Sequence, residues 1–221
     1  MPHAPRIAFV TIGQSPRIDL TPEILERLRG QIEAVEFGAL DDLSPTEVAA
    51  MAPKAGEDSL CTRMRDGSEV VIGKTQTRDR LQKLFDRLDT EGFDAITLLC
   101  TGYFDHLSSK TLLIEAQRVV DATVDAFSLG CQNLGVILPL ERQIAEFHVQ
   151  SDETRKVKAT HYSPYGDDRL EVAAKDVADC DLVVLHCMGY SEAMRAKTAA
   201  LTNKPVLLAR RIVAGAVQQI I

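Results

Sequence analysis

The chain has 221 residues, enough for one large domain or two small lobes, and its 45% hydrophobic content is that of an ordinary globular core. A formal net charge of −7, no Trp and no long basic run argue against nucleic-acid binding, and no apolar run nears the ~20 residues needed to cross a bilayer. "MPHAPRIAFVTIG" lacks the extended apolar region of a signal peptide, so a cytoplasmic location with reduced thiols is expected, and five cysteines outside any C-x-x-C array argue against a disulfide framework or a zinc ribbon.

In chain order, "RIAFVTIG" (Arg6–Gly13) reads as a buried first strand. Its polar loop leads to a helix over Thr21–Arg29, with Thr21 as N-cap and Pro22 at the first helical position. "EAVEFGAL" is a second strand, and Ser44 three residues before Glu47 forms a capping box around Pro45. "SLCTRMRDGSEVVIG" has the pattern of a hairpin turning at Asp66-Gly67. An amphipathic helix follows, with Leu81, Leu84, Phe85 and Leu88 as its apolar stripe. After the strand "DAITLLC", a helix is expected around Thr111–Ala126, then the strand "NLGVILPL" and a helix near Glu141–Gln150. "KVKATHYS" is a strand, Asp167 or Asp168 a cap for a helix reaching Val177, and "DLVVLHC" a strand. A helix from Ser191 to Leu201, the strand "KPVLLA" and a final helix complete the chain. That last helix should bury Ile212, Val213, Ala216, Val217 and Ile220.

Two segments repeat. "DAITLLCTGY" and "DLVVLHCMGY" match Asp94 with Asp181, Cys100 with Cys187, Gly102 with Gly189 and Tyr103 with Tyr190 at one constant offset. With the strand–helix alternation, this predicts an α/β fold of two pseudo-symmetric lobes around an interlobe cleft, each a mostly parallel sheet flanked by helices. The division expected is 1–115 for the first lobe, completed by 206–221 through a last helix that crosses back, and 116–205 for the second. Parallel sheets bind ligands outside the carboxyl ends of their strands, where both cysteines fall. The glycines permit close backbone approach, and N–H groups with a following helix start would favour a thiolate and a bound carboxylate. Substrate contacts are expected from Thr101, Gly102, Met188 and Gly189.

The first loop adds Thr11, Gln14, Ser15 and Arg17, hydroxyls, an amide and a guanidinium suited to a carboxylate. Glu141 and Arg142 in the second lobe's matching loop are weaker candidates. Cys61, Cys131 and Cys180 lack the repeat's context and read as structural. His186 should point away from the face that Cys187 presents. His106 is either an auxiliary acid or base or an exposed loop residue. Glu57 and Asp58 in "GEDSL" suggest a solvated turn or a helix cap. "GKT" at Gly73–Thr75 is no phosphate loop, because Ser68 stands where the first glycine is required.

"TIGQSPR", "PKAGEDSL" with its following "DG", the two cysteine segments and "KPVLLARRIVA" resemble the AroM family over nearly the whole chain, and beyond it the aspartate/glutamate racemase superfamily. The resemblance implies two pseudo-symmetric lobes with Cys100 and Cys187 facing each other across a central cleft. It departs from the amino-acid racemases in its first loop and in Cys100-Thr101-Gly102. The activity expected is a cofactor-independent racemase, epimerase or isomerase of a small carboxylic acid, using two opposed cysteines. A single-cysteine decarboxylase or cis–trans isomerase, and a non-catalytic carboxylate-binding regulator, remain open alternatives. No metal and no organic cofactor is expected, and the partner is a small carboxylate ligand, with a homo-oligomer left open. For proton transfer on both faces of one carbon, the sulfurs should stand roughly 7–8 Å apart.

Overall fold

The structure is a computed structural model that describes residues 4–147, 155–166 and 169–221. Strands β1 (Arg6–Thr11), β2 (Glu33–Gly38), β5 (Ala95–Leu98) and β6 (Leu112–Glu115) form one parallel sheet in the order β2-β1-β5-β6. Strands β7 (Asn133–Leu138), β8 (Lys156–His161), β9 (Leu182–Leu185) and β10 (Val206–Leu208) form the other, also parallel, in the order β10-β9-β7-β8. Read from β2 and from β8, the orders correspond strand for strand. Each cysteine follows the third strand of its set, beside a central first strand. The central strands are buried almost throughout, as expected when helices cover both faces.

The repeat's aspartates have a structural role. Asp94 Oδ2 accepts the Arg6 N–H at 2.7 Å, and Asp181 Oδ2 accepts those of Gln132 and Asn133, each at 2.8 Å. Each carboxylate thereby ties the start of a cysteine strand to the start of its lobe's first strand.

Helix α1 (Thr21–Leu28) starts one residue earlier in its cap than expected. Leu20 is the N-cap, and the Thr21 hydroxyl instead donates to Glu36 at 2.8 Å. Helix α2 (Pro45–Ala50) carries the Ser44–Glu47 capping box. Strands β3 (Ser59–Arg63) and β4 (Glu69–Gly73) make the antiparallel hairpin, with Gly67 at φ 94° in its turn. Helix α3 (Lys74–Leu88) buries Leu81, Phe85 and Leu88, each side chain worth about 2 kcal/mol of burial. Glu57 accepts the Thr75 N–H at 2.8 Å, so it serves as a cap for α3.

Three expectations change. Leu112–Glu115 is a strand and α4 covers only Ala116–Phe127, because pairing with β5 overrides the helical preference of Leu and Glu. Val206–Leu208 pairs with β9, so the segment expected to complete the first lobe opens with a strand of the second sheet. Helix α8 (Ala209–Gln218) buries Arg210, Val213, Ala214 and Val217, while Ile220 is exposed beyond its end. It packs on α1 and α4, and one apolar core runs through both lobes, from Ile7 and Phe9 to Val136, Val184 and Val213.

The second half also contains α5 (Gln143–Glu146), α6 (Leu170–Asp176) and α7 (Glu192–Thr202), the last capped by Ser191. Asp167, Asp168 and the end of the helix expected to reach Gln150 lie outside the described residues. No helix among the described residues is long and apolar enough to cross a membrane.

Candidate active site

Cys100 and Cys187 each sit two residues past a strand, and each sulfur accepts the N–H of the glycine two residues on. Those distances are 3.3 Å from Gly102 and 3.4 Å from Gly189. Both thiols are 8% exposed and both line one cavity of about 760 Å³. The two loops touch, since the Thr101 hydroxyl donates to the His186 carbonyl at 3.2 Å. Neither glycine has room for a side chain. A Cβ on Gly102 would stand 2.5 Å from Leu60, and one on Gly189 2.4 Å from the Tyr165 hydroxyl. Thr101, Gly102, Met188 and Gly189 all line the cavity.

The first loop supplies less than expected. Arg17 reaches the cavity, but its Nε and Nη2 grip Asp19 at 2.9 and 2.8 Å, Nη1 donates to Thr11 at 3.0 Å and Nη2 to Tyr165 at 2.9 Å. Four of its five N–H groups are thus engaged, leaving one for a ligand. Burial alone would lower its pKa, but Asp19 and Tyr165 outweigh it and raise it. Burial likewise pushes Asp19 up, and the Arg17 hydrogen bonds and charge reverse this and hold it below the ordinary carboxylate value. Thr11 lies outside the cavity wall and positions Arg17. Ser15 is bound through N–H and hydroxyl to Asp41 at 2.7 and 2.6 Å, and Gln14 borders a separate depression with Arg65 and Asp66. Thr11, Gln14 and Ser15 thus lie outside the cavity wall, with Thr11 and Ser15 bonded to Arg17 and Asp41.

Burial favours the protonated form of both thiols. Burial pushes Cys100 up to about 12 from its ordinary 9.0, against the lowering by the Gly102 N–H. Burial raises Cys187 as well, while Gly189, Arg17 and Arg210 each pull it down. The expected helix start after each cysteine exists only once. Ser191 and α7 follow Cys187, whereas residues 99–111 carry no helix.

Four wall residues escaped the sequence reading. Tyr165, from the loop after β8, accepts from Arg17 and stays protonated, because burial first and then the neighbouring Cys187 raise its pKa. Cys61, assigned a structural role, lines the cavity from β3, held far above its ordinary value by burial, Cys187 and Glu69. His186, expected to point away, also lines it. Its Nε2 meets Asp121 Oδ1 at 3.1 Å and its ring meets Phe147 edge-on at 5.1 Å. The backbone turns after Leu185, so strand alternation no longer governs residue 186. Asp121, on α4, could be signalled only by its side of that helix. His106 is exposed, at φ 59°, and Arg142 bonds Glu146 and the Glu57 carbonyl outside the wall. Its neighbours Gln143 and Glu146 do reach the wall and hold Ser59 of the hairpin. Among the described residues no group of three His, Cys, Asp or Glu side chains is placed to hold a metal ion.

Residues 7–221 match the family model described as AroM protein. The chain belongs to the AroM family. A search of curated proteins finds no significant relative of this AroM-family chain. Among solved structures it resembles the Picrophilus torridus aspartate racemase at 12% identity and a TM-score of 0.57, over 98% of this chain and 94% of that one. The maleate isomerase Iso from Pseudomonas putida is similar at 16% identity and 0.56, over 98% and 92%. Unliganded arylmalonate decarboxylase is similar at 12% identity and 0.59, over 98% and 92%. At such identities the likeness establishes the two-lobed α/β fold of these enzymes.

Proposed function

We propose that this AroM-family chain is a cofactor-independent racemase, epimerase or isomerase of a small carboxylic acid, with Cys100 and Cys187 as its proton-transferring pair. The observation that carries the reading is the twin placement of the two thiols. Each stands at the mouth of a matched strand, bound by a glycine N–H, on the wall of one cavity. The fold is shared with proteins named racemase, isomerase and decarboxylase, which supports this class of chemistry.

In this scheme one cysteine is a thiolate when substrate binds. Arg17 favours the charged form of both thiols and Arg210 that of Cys187 only, so Cys187 is the first base. The Cys187 thiolate takes the proton α to the carboxylate, and the C–H electron pair moves into the enediolate. The Cys100 thiol then gives its proton to the opposite face and is left as the thiolate, and the roles exchange for the mirror-image substrate. A thiol held high in pKa is a strong base once ionised, which suits a weakly acidic α-proton. The Tyr165 O–H, polarised by the Arg17 hydrogen bond it accepts, and the last Arg17 N–H are the donors for the enediolate oxygen. The sulfurs must then flank the carbon, roughly 7–8 Å apart.

The test is deuterium uptake from heavy water into a panel of chiral carboxylic acids, followed by NMR. Uptake is expected in at least one acid, and Cys100→Ala and Cys187→Ala should each lower it about 10²- to 10⁴-fold. No uptake across the panel, or uptake that survives both substitutions, overturns the scheme.

Arg210, which acts on Cys187 and not on Cys100, also favours a second reading, in which Cys187 is a nucleophile and Cys100 only an acid, as in a cis–trans isomerase. A covalent adduct on Cys187 by mass spectrometry, without deuterium at a stereocentre, is its signature.

A further inference from the structure

The cavity wall carries charges that almost all cancel. Its three cations are matched: Arg17 with Asp19 at 2.8 Å, Lys74 with Asp58 at 3.0 Å and Arg118 with Glu115 at 2.6 Å. Three of its four carboxylates are matched too, Asp58 by that Lys74, Asp125 by Arg155 at 3.3 Å and Glu146 by Arg142 at 3.1 Å. Asp121 is the exception among the described residues. Its neighbours are the His186 ring and the Gln117 amide, neither a fixed cation, and its side chain is 47% exposed. A carboxylate offers about four lone-pair sites, so two contacts leave acceptors open.

We propose that the wall around Asp121 receives the substrate's side chain, and that this side chain ends in a cationic or multiply donating nitrogen group, not in a second carboxylate. The inference rests on the carboxylate-isomerase reading and names its substrate class. A single carboxylate is served by Tyr165 and the remaining Arg17 N–H. A second one at Asp121 would meet a like charge, while each Lys or Arg of the wall already has a carboxylate partner, which is costly in a partly desolvated site. An ammonium or guanidinium there gains a charge-assisted hydrogen bond. The neighbouring Phe147 ring, edge-on to His186, adds an aromatic surface of the kind that cations favour. The volume agrees: about 760 Å³ is the size of sites that enclose drug-sized ligands, far more than a four-carbon diacid fills.

The experiment is calorimetric titration of the full chain with ornithine, norvaline and glutamate, 2-amino acids of similar reach ending in an ammonium, a methyl and a carboxylate. Ornithine should bind about tenfold or more tightly than glutamate. Asp121→Asn should erase that preference, and Asp121→Lys should reverse it, while norvaline stays within about twofold in all three proteins. Glutamate binding as well as ornithine to the unsubstituted chain, no ornithine binding at millimolar concentration, or a preference that persists in Asp121→Asn would overturn the assignment. Deuterium uptake is read separately. An ornithine preference without uptake keeps the Asp121 assignment and defeats the two-thiol scheme, and uptake confined to glutamate does the reverse.

Discussion

Cys100 and Cys187 follow matching strands and accept matching glycine N–H groups, but their loops are anchored by different means. Behind Cys187 stands Arg210 of α8, fully buried. Its Nε and Nη2 donate to the carbonyls of Met188 and Gly189, each at 2.8 Å, and Nη1 lies 2.9 Å from Glu23. Tyr190 is buried and bonds the Tyr162 carbonyl at 2.6 Å, and α7 starts two residues later. Its counterpart Tyr103 is 48% exposed, and no helix follows. The Cys100 loop is tied across the cleft by the Thr101 hydroxyl instead. One thiol is therefore seated by the protein's interior, the other by its opposite number's loop. Two halves with one sequence pattern acquire unequal electrostatics from the elements packed behind them.

The comparison can be broken most severely at Arg210. Arg210→Met should cost about 3 kcal/mol, read from a denaturant midpoint, by leaving Glu23 without its cation and two loop carbonyls without their donor. It should also slow deuterium uptake. Unchanged stability would mean that the Cys187 loop is seated by something else.

Tyr165→Phe tests the donor beside Gly189. Deuterium uptake should fall about 10²-fold with the folded structure intact, because only the hydroxyl is removed. A loss confined to substrate affinity would assign Tyr165 to ground-state binding instead.

Alkylation sharpens the electrostatic difference. Because Arg210 lowers Cys187 and not Cys100, Cys187 should react with iodoacetamide at lower pH than Cys100, read by peptide mass spectrometry. Stability follows the same logic. The folded chain keeps the Cys100 proton up to about 12, whereas the unfolded thiol loses it near 9.0, so the fold should lose stability as pH rises through that window. Cys100→Ala should flatten that decline. An unaltered slope would contradict the burial of this thiol.

The smallest effect is expected at Thr101→Val, about 1 kcal/mol for one hydrogen bond, with a larger change in uptake than in stability. An equal loss from Arg210→Met and Thr101→Val would erase the asymmetry between the loops.

The sequence by itself determined the architecture and the two thiols. Short apolar runs ended by turn residues marked nine of the ten strands among the described residues, and the constant offset between the cysteine segments marked the pseudo-symmetry. Those signals are local, and local chemistry decides them. Only the tertiary structure decided the site's polar groups. The "TIGQSPR" loop was read as open donors, yet Asp19, Asp41 and Tyr165 absorb them, and which partner saturates a guanidinium is a matter of packing between distant segments. Strand β6 was hidden for the same reason, since Leu112–Glu115 becomes a strand only through its pairing with β5. His186, Cys61 and Asp121 gather around the cysteines from three separate elements, and nothing in their spacing along the chain foretells it. Periodicity records which face a residue presents, whereas the charge that a cavity presents to its ligand depends on which groups have already neutralised one another across the fold.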